Sequence, residues 1–554
     1  MPQRIAVIGA GPLGLMAAKN LKEDGFDVTG YESRPYVGGL WKDSEDSTIS
    51  VHATTIFNSS KFRAAASDFP FAESDDVYPT AAQIHAYFNR YADHFKLRPH
   101  LHLSTRVNQI LRGENCWTLQ IEDLETNTSR VESYDRICVA TGSFYTPRFP
   151  TLEGLENFNG RVLHSIDFHG SEPFKDQNVL LVGMHATAQD ITNSLSKTAQ
   201  HVYLSHRSGL LMLPRFNEDG TPFDTSMTLP LFFFQTFAET WFPRIWTGLL
   251  DNILGKISDK VFPTKKEWKL NPKPSIGAAT PLMADTIYPF MQSGFAEPVA
   301  KVRRITGPKA VELEDGRVLD GIDSIIYCTG YHFNMPESLI PRSGEKAEAY
   351  DPYPNGPGPH PRLYRNCFPL HPDPAIRNSL AFLGQGAVTF PGFSQFELMA
   401  MCVSQIWRGN AKLPPYKEMV EWYDENTRWR EQHMKRHNQR ADSTFYPAFL
   451  QFAPQMHWMH ETAGTGIYSN LDGLFNGTFN WRAWKLWWAD GEMYKLCTKG
   501  LFTPTMLRLF GSTEGKGGRR ALGWEECRRR MREENEAWKR ASEKRREEME
   551  REKK

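Results

Sequence analysis

The 554-residue chain lacks several patterns that would each point to a particular class of protein. Its seven cysteines contain no Cys-x-x-Cys pair and no metal-like cluster, which argues against a disulfide reductase and indicates a reducing compartment. No stretch reaches the ~18–20 uninterrupted apolar residues of a helix that spans a membrane. These absences favour a large cytoplasmic enzyme with buried, inert thiols.

The charge balance and the first residues argue against further classes. Lys and Arg together number 65, as do Asp and Glu, so no overall field favours nucleic acid or another polyanion. An apolar strand begins by Ile5, which leaves no room for the charged and apolar regions of a secretory signal. We therefore expect no nucleic-acid partner and a cytoplasmic location, with peripheral attachment to an intracellular membrane left open.

A glycine-rich turn near the start of the chain predicts a dinucleotide site. It follows the apolar residues 5–8 and precedes a helical stretch, which is the strand–turn–helix context that the motif requires. A second strand then ends at Glu32, whose carboxylate is placed to bind a ribose diol. The turn would let a pyrophosphate lie against the helix N-terminus. It consists of Gly9, Ala10, Gly11, Pro12, Leu13 and Gly14.

A second turn of the same kind follows the apolar residues 178–182. His185 replaces its middle glycine, and a side chain there either turns away from the pyrophosphate or pushes it outward. Arg207 stands where the first unit has Glu32, and a guanidinium suits a 2′-phosphate. The alternative for Arg207 is a solvated arginine at a strand end. The predicted contact residues of this turn are Gly183, Thr187, Ala188, Gln189 and Asp190.

The order of these patterns predicts an α/β fold with two Rossmann-like dinucleotide-binding domains, the second inserted into the first. A helical and aromatic insertion is expected in the second domain, and a charged helical tail at the end of the chain. The predicted bounds are 1–165 and 326–515 for the two parts of the first domain, 166–325 for the second domain with its insertion at about 210–285, and 516–554 for the tail.

Several motifs together resemble the flavin-containing monooxygenases, and the similarity extends over nearly the whole chain. Residues 158–168 match the family's FxGxxxHxxx(Y/F) signature, and residues 38–41 match its GGxW motif. Residues 57–61, followed by residues 68–71, resemble the family's flavin-face segment, and residues 329–331 match its late TGY. The similarity is to class B flavoprotein monooxygenases of the N-oxide-forming dimethylaniline type.

The resemblance implies FAD in the first domain and NADPH in the second. It also implies a reaction in which NADPH reduces FAD, O2 adds to form a C4a-hydroperoxyflavin, and one oxygen passes to a soft nitrogen or sulfur nucleophile. Besides the residues of the two turns, Glu32 and Arg207, the expected cofactor contacts are Gly39, Leu40, Trp41, Phe57, Asn58, Ser59, Thr141, Gly142, Thr329 and Gly330.

Asn58 is the predicted catalytic residue, because a carboxamide donates hydrogen bonds to a reacting oxygen or to bound NADP⁺ without protonating the wrong atom. The alternative is a loop asparagine that bonds its own turn. Trp41 either walls the flavin pocket or packs in the core. His164 is interpreted as structural or as an NADP⁺ contact.

We expect a small-molecule amine or thioether and O2 as the reactants. One alternative is Baeyer–Villiger oxygenation of a ketone, which Phe168 disfavours because those relatives have Trp there; another is an uncoupled NADPH oxidase. The aromatic-rich residues 229–254 and 479–488 either contact a membrane surface or are buried against one another. For residues 229–254 the resemblance also implies a third possibility, a position over the substrate channel. A homodimer is left open.

Overall fold

A computed structural model describes residues 2–42, 49–336, 339–343, 350–352, 360–388, 390–437, 448–473, 477–511 and 522–552. The strands are β1 (Arg4–Ile8), β2 (Asp27–Tyr31), β3 (Leu101–His102), β4 (Thr105–Arg112), β5 (Trp117–Asp123), β6 (Thr128–Tyr134), β7 (Arg136–Val139), β8 (Phe144–Pro147), β9 (Arg161–His164), β10 (Asn178–Val182), β11 (His201–Ser205), β12 (Met212–Leu213), β13 (Leu282–Met283), β14 (Ala296–Val299), β15 (Val302–Gly307), β16 (Ala310–Leu313), β17 (Val318–Leu319), β18 (Ser324–Tyr327), β19 (Tyr331–Phe333), β20 (Arg342–Ser343), β21 (Leu363–Tyr364), β22 (Phe368–Pro369) and β23 (Leu380–Phe382).

The helices are α1 (Pro12–Glu23), α2 (Lys61–Ala64), α3 (Ala81–His94), α4 (Ala186–Leu195), α5 (Leu229–Trp241), α6 (Pro243–Val261), α7 (Tyr288–Ser293), α8 (Pro374–Arg377), α9 (Gly392–Arg408), α10 (Tyr416–Arg436), α11 (Phe452–Ala463), α12 (Ile467–Leu471), α13 (Trp481–Ala489), α14 (Gly491–Lys499) and α15 (Trp524–Glu552).

The first parallel sheet has the strand order β23-β7-β1-β2-β3. Its central strand β1 is buried from Ile5 to Ile8, which explains why this strand reads as a continuous apolar run. The chain leaves β1 through the first glycine turn and enters α1. The turn therefore lies at the carboxyl edge of the sheet, where ligands bind in open α/β sheets.

The second parallel sheet has the order β14-β11-β10-β18-β9 and repeats this arrangement. Its central strand β10 leads through the second glycine turn into α4. In each unit three antiparallel strands, β4–β6 or β15–β17, come before the strand that pairs with the other side of the central strand, β7 or β18. In the first unit β20 adds a parallel fourth strand beside β4. The prediction of two Rossmann-like units is confirmed.

The second unit is inserted in the first, because β23 returns to the first sheet after the second sheet is complete. The second sheet begins with β9, slightly before the predicted start near residue 166. The chain passes from the first unit to the second through β8 and returns through β19, and these two strands pair with each other. Arg148 strengthens this junction, since its backbone N–H donates to the Gly330 carbonyl at 3.0 Å.

The predicted insertion contains α5 and α6, and the predicted charged tail contains α15, whose Cys527 and Met531 are buried. The start of the tail at residues 516–521 lies outside the described residues. Aromatic side chains are exposed on α13 and around the α5–α6 turn, including Trp488 at 85% and Trp241 at 68%. Among the helices of the described ranges, none combines the length and the apolar character needed to cross a bilayer.

Candidate functional site

At two positions of the first glycine turn, neighbouring backbone atoms leave no room for a Cβ, so only glycine fits. Gly9 has φ of +104°, and a Cβ there would lie 2.7 Å from the Ala140 carbonyl oxygen. A Cβ on Gly14 would lie 1.8 Å from the Gly9 carbonyl oxygen, which would force α1 away from β1. Both glycines are thus required by close packing of the helix start on the strand.

Glu32 is buried at the end of β2, and its carboxylate is fixed by the backbone around it. Oε2 accepts a hydrogen bond from the Ala10 N–H at 2.7 Å, and Oε1 accepts one from the Arg34 N–H at 3.0 Å. Each carboxylate oxygen has two acceptor sites, so acceptor capacity remains for a ribose diol. Glu32 therefore shapes the turn as well as facing the predicted nucleotide site.

The residues around the turn fit the pyrophosphate of FAD. A short 3₁₀ helix, Gly39–Trp41, approaches so closely that a Cβ on Gly39 would lie 3.0 Å from the Gly11 Cα. The N-cap residue of α1 is Gly11, which has no side chain to cap the helix, and Pro12 fills the first position, where an N–H is not needed. The first-turn amides of Leu13 and Gly14 thus have no intrahelical partner and can bind an anion.

Aromatic side chains form one wall beside this cradle. Phe57 stacks on Phe393 at the start of α9, with ring centroids 4.7 Å apart. Trp41 meets both rings edge-on, at 5.2 Å from Phe57 and 5.8 Å from Phe393. Trp41 and Phe57 are each half-buried, so this cluster leaves aromatic surface available to a planar ring.

The loop that carries Asn58 lies between the two dinucleotide units and is anchored on both sides of this residue. Before it, the Thr55 hydroxyl donates to the Asp190 carboxylate at 2.7 Å, which connects the loop to α4. After it, the Ser60 N–H donates to the Asp224 carboxylate at 2.7 Å, and Ser59 is half-buried between these anchors. Asn58 itself is exposed.

Arg215 holds the amide of Asn58. Its Nη2 donates to Asn58 Oδ1 at 3.4 Å and to the Ile56 carbonyl at 3.5 Å. The Asp285 carboxylate accepts from Arg215 Nη1 at 3.3 Å, so the buried guanidinium has a counter-charge. Burial raises the pKa of Asp190 to about 6, against the opposing effects of the Thr55 hydrogen bond and the charge of Arg215.

The second glycine turn resembles the first in its backbone. Gly183 has φ of +113°, and a Cβ there would lie 2.4 Å from the Cys328 carbonyl oxygen. The side chain of the N-cap residue, His185, makes no capping hydrogen bond to α4. In the first turns of this helix Thr187 is half-buried, while Ala188 and Gln189 are buried. The helix start therefore fits the pyrophosphate of NADPH by the same chemistry as the first.

His185 is turned toward the insertion. Its Nε2 lies 3.0 Å from the Thr280 carbonyl, and because a carbonyl only accepts, Nε2 carries the proton. Burial lowers the pKa of His185, which is consistent with a neutral ring. Of the two orientations expected for this side chain, the structure has the imidazole bound to the insertion segment.

The remaining predicted residues lie at strand ends. Arg207 is exposed two residues beyond β11, where the first unit has Glu32 directly after β2. Thr141 and Gly142 follow β7, and Thr329 and Gly330 follow β18, which pairs beside the central strand of the second sheet.

His164 lies between the two units. It is fully buried, its Nε2 donates to the Gly330 carbonyl at 3.1 Å, and its Nδ1 accepts from the Ile166 N–H at 3.2 Å. Both ring nitrogens are engaged with the backbone, which supports the structural interpretation.

Three charged residues of this junction were not predicted. Arg215 and Asp285 lie in the insertion, next to the short paired strands β12 and β13, and Asp224 lies in a turn between Arg215 and α5. They carry no local motif, because each acquires its partner only when the insertion packs on the loop around Asn58. For Arg215 and Asp285 the only sequence signal was a charge directly after a short apolar run, and Asp224 had no such signal.

Comparisons with known proteins agree with this arrangement. The family described as flavin-binding monooxygenase-like matches residues 2–462. Monooxygenase aurF of Gibberella zeae is 30% identical over 514 residues, which cover 91% of this chain and 94% of that protein. The N-oxide-forming dimethylaniline monooxygenase 2 of Pan troglodytes is 26% identical, with 76% of each chain covered.

The fold is also found among solved structures. The NADP⁺-bound cyclohexanone monooxygenase of Rhodococcus sp. Phi1 superposes with a TM-score of 0.58 at 18% identity, over 85% of this chain and 98% of that chain. Both dinucleotide cradles of this chain fit their cofactors, and the family match extends through both. The chain therefore belongs to the flavin-binding monooxygenase-like family and is an FAD- and NADPH-dependent monooxygenase that acts with O2 on small molecules.

Proposed function

We propose that the protein transfers one oxygen atom from O2 to an uncharged amine nitrogen or a thioether sulfur. The observation that carries this proposal is the neutral carboxamide of Asn58 at the junction of the two dinucleotide units, beside a guanidinium whose charge Asp285 offsets. The similarity to an N-oxide-forming relative supports the amine substrate. An electrophilic oxygen reacts with a polarisable lone pair, which amines and thioethers offer and simple ketones do not.

Each part of the site has a proposed task. The chemistry that FAD and NADPH supply when bound is reduction of O2 and transfer of one of its oxygen atoms. The first turn with Glu32 would hold the adenosine diphosphate end of FAD, and Trp41 and Phe57 would wall the flavin. The second turn with Arg207 would hold NADPH. Residues 1–165 and 326–515 would form the FAD domain and residues 166–325 the NADPH domain, except that β9 and the end of β18 pair in the second sheet and therefore go with the NADPH domain.

Asn58 would donate hydrogen bonds to the oxygen that is transferred. The matched change is Asn58→Leu, which keeps the size of the side chain and removes its donors. Loss of one preorganised donor costs roughly 3–4 kcal/mol in the step that it assists. We expect Asn58→Leu to retain FAD and to oxidise NADPH, but to release most electrons as hydrogen peroxide.

The substrate class is tested by measuring NADPH oxidation, peroxide release and oxygenated product with a tertiary amine, a thioether and a cyclic ketone. N-oxide or S-oxide formed in proportion to NADPH supports the proposal. A lactone from the ketone would move the enzyme to the Baeyer–Villiger class. Peroxide alone with all three compounds would indicate an NADPH oxidase.

We also infer peripheral contact with an intracellular membrane from the cytoplasmic side. Trp481, Trp484 and Trp488 are exposed on α13, together with Arg482 and Lys485. Exposed tryptophans with neighbouring basic residues suit the interface of an anionic bilayer. Sedimentation with anionic and neutral vesicles tests this, with a Trp481→Ala/Trp488→Ala variant as the comparison. Self-association of the wild type without vesicle binding, lost in the variant, would assign the patch to a homodimer instead.

A further inference from the structure

The contact between Arg215 and Asn58 fixes which end of the carboxamide faces the reaction site. A guanidinium carries only hydrogen-bond donors, so the amide atom that contacts it must be the acceptor Oδ1. The Nδ2 group is therefore on the opposite side of the amide. Arg215 uses one of the two acceptor sites of Oδ1, so on the side away from the guanidinium Asn58 presents its N–H donors.

Several contacts and burial keep Arg215 beside Asn58. Its side chain is buried, with 5% of the residue exposed, and Asp285 accepts from both its Nη1 and its backbone N–H. Nη1 also donates to the Met283 carbonyl at 3.5 Å, and the Tyr78 hydroxyl donates to the Arg215 carbonyl. The contacts of Nη1 and Nη2 are long, at 3.3–3.5 Å, and Nε has no hydrogen-bond partner among the described residues. The guanidinium is therefore kept in place mainly by its burial and by the charge of Asp285, since moving away from Asp285 would leave a buried charge unpaired.

The backbone of the Asn58 loop does not depend on Arg215 alone. Thr55 is bound to Asp190 and Ser60 to Asp224, on either side of Asn58. Loss of the guanidinium would therefore leave the loop anchored while it frees rotation of the amide. The effect expected from Arg215 is on the direction of the Asn58 donors, more than on the position of the loop.

We propose that Arg215 is a positioning residue for oxygen transfer, which holds the Asn58 carboxamide with its N–H donors directed at the reacting oxygen. This inference rests on the donor function proposed for Asn58. Arg215 belongs to the insertion of the NADPH-binding unit, whereas Asn58 belongs to the FAD-binding part of the chain. The donor orientation is consequently set only when the insertion packs against the loop, which makes oxygen transfer depend on assembly of both units.

The experiment is a double-mutant cycle on the ratio of oxygenated product to NADPH consumed. The variants are Arg215→Met, Asn58→Leu and the double variant, measured with the rate of flavin reduction as an internal reference. Arg215→Lys is included because it keeps a charge beside Asp285 if Arg215→Met folds poorly. Arg112→Met is the matched control, since Arg112 is also 5% exposed but packs on Trp117 in the antiparallel sheet.

A second cycle uses the dissociation constant of NADP⁺ for the oxidised enzyme, which is measured without turnover. We expect Arg215→Met to lower the product ratio three- to tenfold with flavin reduction within twofold of wild type. In the Asn58→Leu background the same change should have less than a twofold further effect in either cycle, because residues that act through each other are not additive. Arg215→Lys should lose less than Arg215→Met, and Arg112→Met should keep the wild-type ratio.

Full additivity of the two changes would overturn the proposal, because Arg215 would then act independently of Asn58. An unchanged product ratio in Arg215→Met or, where that variant does not fold, in Arg215→Lys would also overturn it. These outcomes leave the function of Asn58 intact. An unchanged ratio in Asn58→Leu would instead refute the proposed donor and the inference that depends on it.

Discussion

Replacement of Glu32 by alanine should weaken FAD binding and destabilise the first dinucleotide unit together. The carboxylate accepts from the Ala10 N–H at 2.7 Å and the Arg34 N–H at 3.0 Å, in a site where Glu32 is 8% exposed. Each buried donor left without an acceptor costs about 1–3 kcal/mol, so the loss of an acceptor for both N–H groups should lower the free energy of unfolding by roughly 2–6 kcal/mol. The predicted bond from the ribose adds about 1.5–3 kcal/mol in FAD affinity, or roughly 10- to 100-fold in Kd.

The assay is titration of the apoprotein with FAD, followed by quenching of flavin fluorescence, together with chemical denaturation of the apoprotein. Glu32→Gln is the matched control, because its carbonyl oxygen keeps one acceptor while the charge is lost. We expect Glu32→Gln to lie between the wild type and Glu32→Ala in both measurements. An FAD Kd for Glu32→Ala equal to that of the wild type would refute the assignment of Glu32 to the ribose, whatever the change in stability.

Three further predictions concern residues of the second dinucleotide unit. Arg207→Ala should raise the KM for NADPH about tenfold or more and leave the KM for NADH nearly unchanged, since the guanidinium is assigned to the 2′-phosphate; equal losses with both cofactors would reject that assignment. His185→Ala should lower the free energy of unfolding by about 1 kcal/mol through loss of the bond to Thr280, without changing the NADPH-to-NADH preference. Burial raises the pKa of Asp190 to about 6, so the folded protein binds more protons than the unfolded chain between about pH 4 and 6, and the stability contributed by this group falls as the pH rises through that range. Denaturation at pH 4.5 and 6.5 should show this loss, and Asp190→Asn should remove roughly 2 kcal/mol of it.

The sequence was sufficient for the fold because its signals are local. Each glycine turn lies between an apolar strand and a helix, and Gly9 and Gly183 are required by contacts with the backbone of a neighbouring strand end. The return of the chain to the first sheet could likewise be predicted, because β18, which completes the second sheet, and β23, which pairs in the first, are short buried strands with recognisable sequences. The roles of the cofactor-contacting residues remain predictions, with geometry that fits them.

The polar network around Asn58 could not be predicted in the same way. Arg215 is separated from Asn58 by 157 positions, and its partners are backbone carbonyls, a tyrosine hydroxyl and Asp285, none of which forms a motif. The exposure of residues 479–488 could not be predicted from the sequence either, because a tryptophan-rich helix is buried or exposed according to what packs on it. Trp488 is 85% exposed, a result that depends on the tertiary positions of α12 and α14.

The most direct test of the account is oxygenation of a thioether or tertiary amine under ¹⁸O2 with NADPH, with mass spectrometry of the product. The account predicts one ¹⁸O atom in each S-oxide or N-oxide molecule and nearly one product formed per NADPH consumed. Product without the label, or NADPH consumption that yields labelled hydrogen peroxide and no oxide, would contradict it.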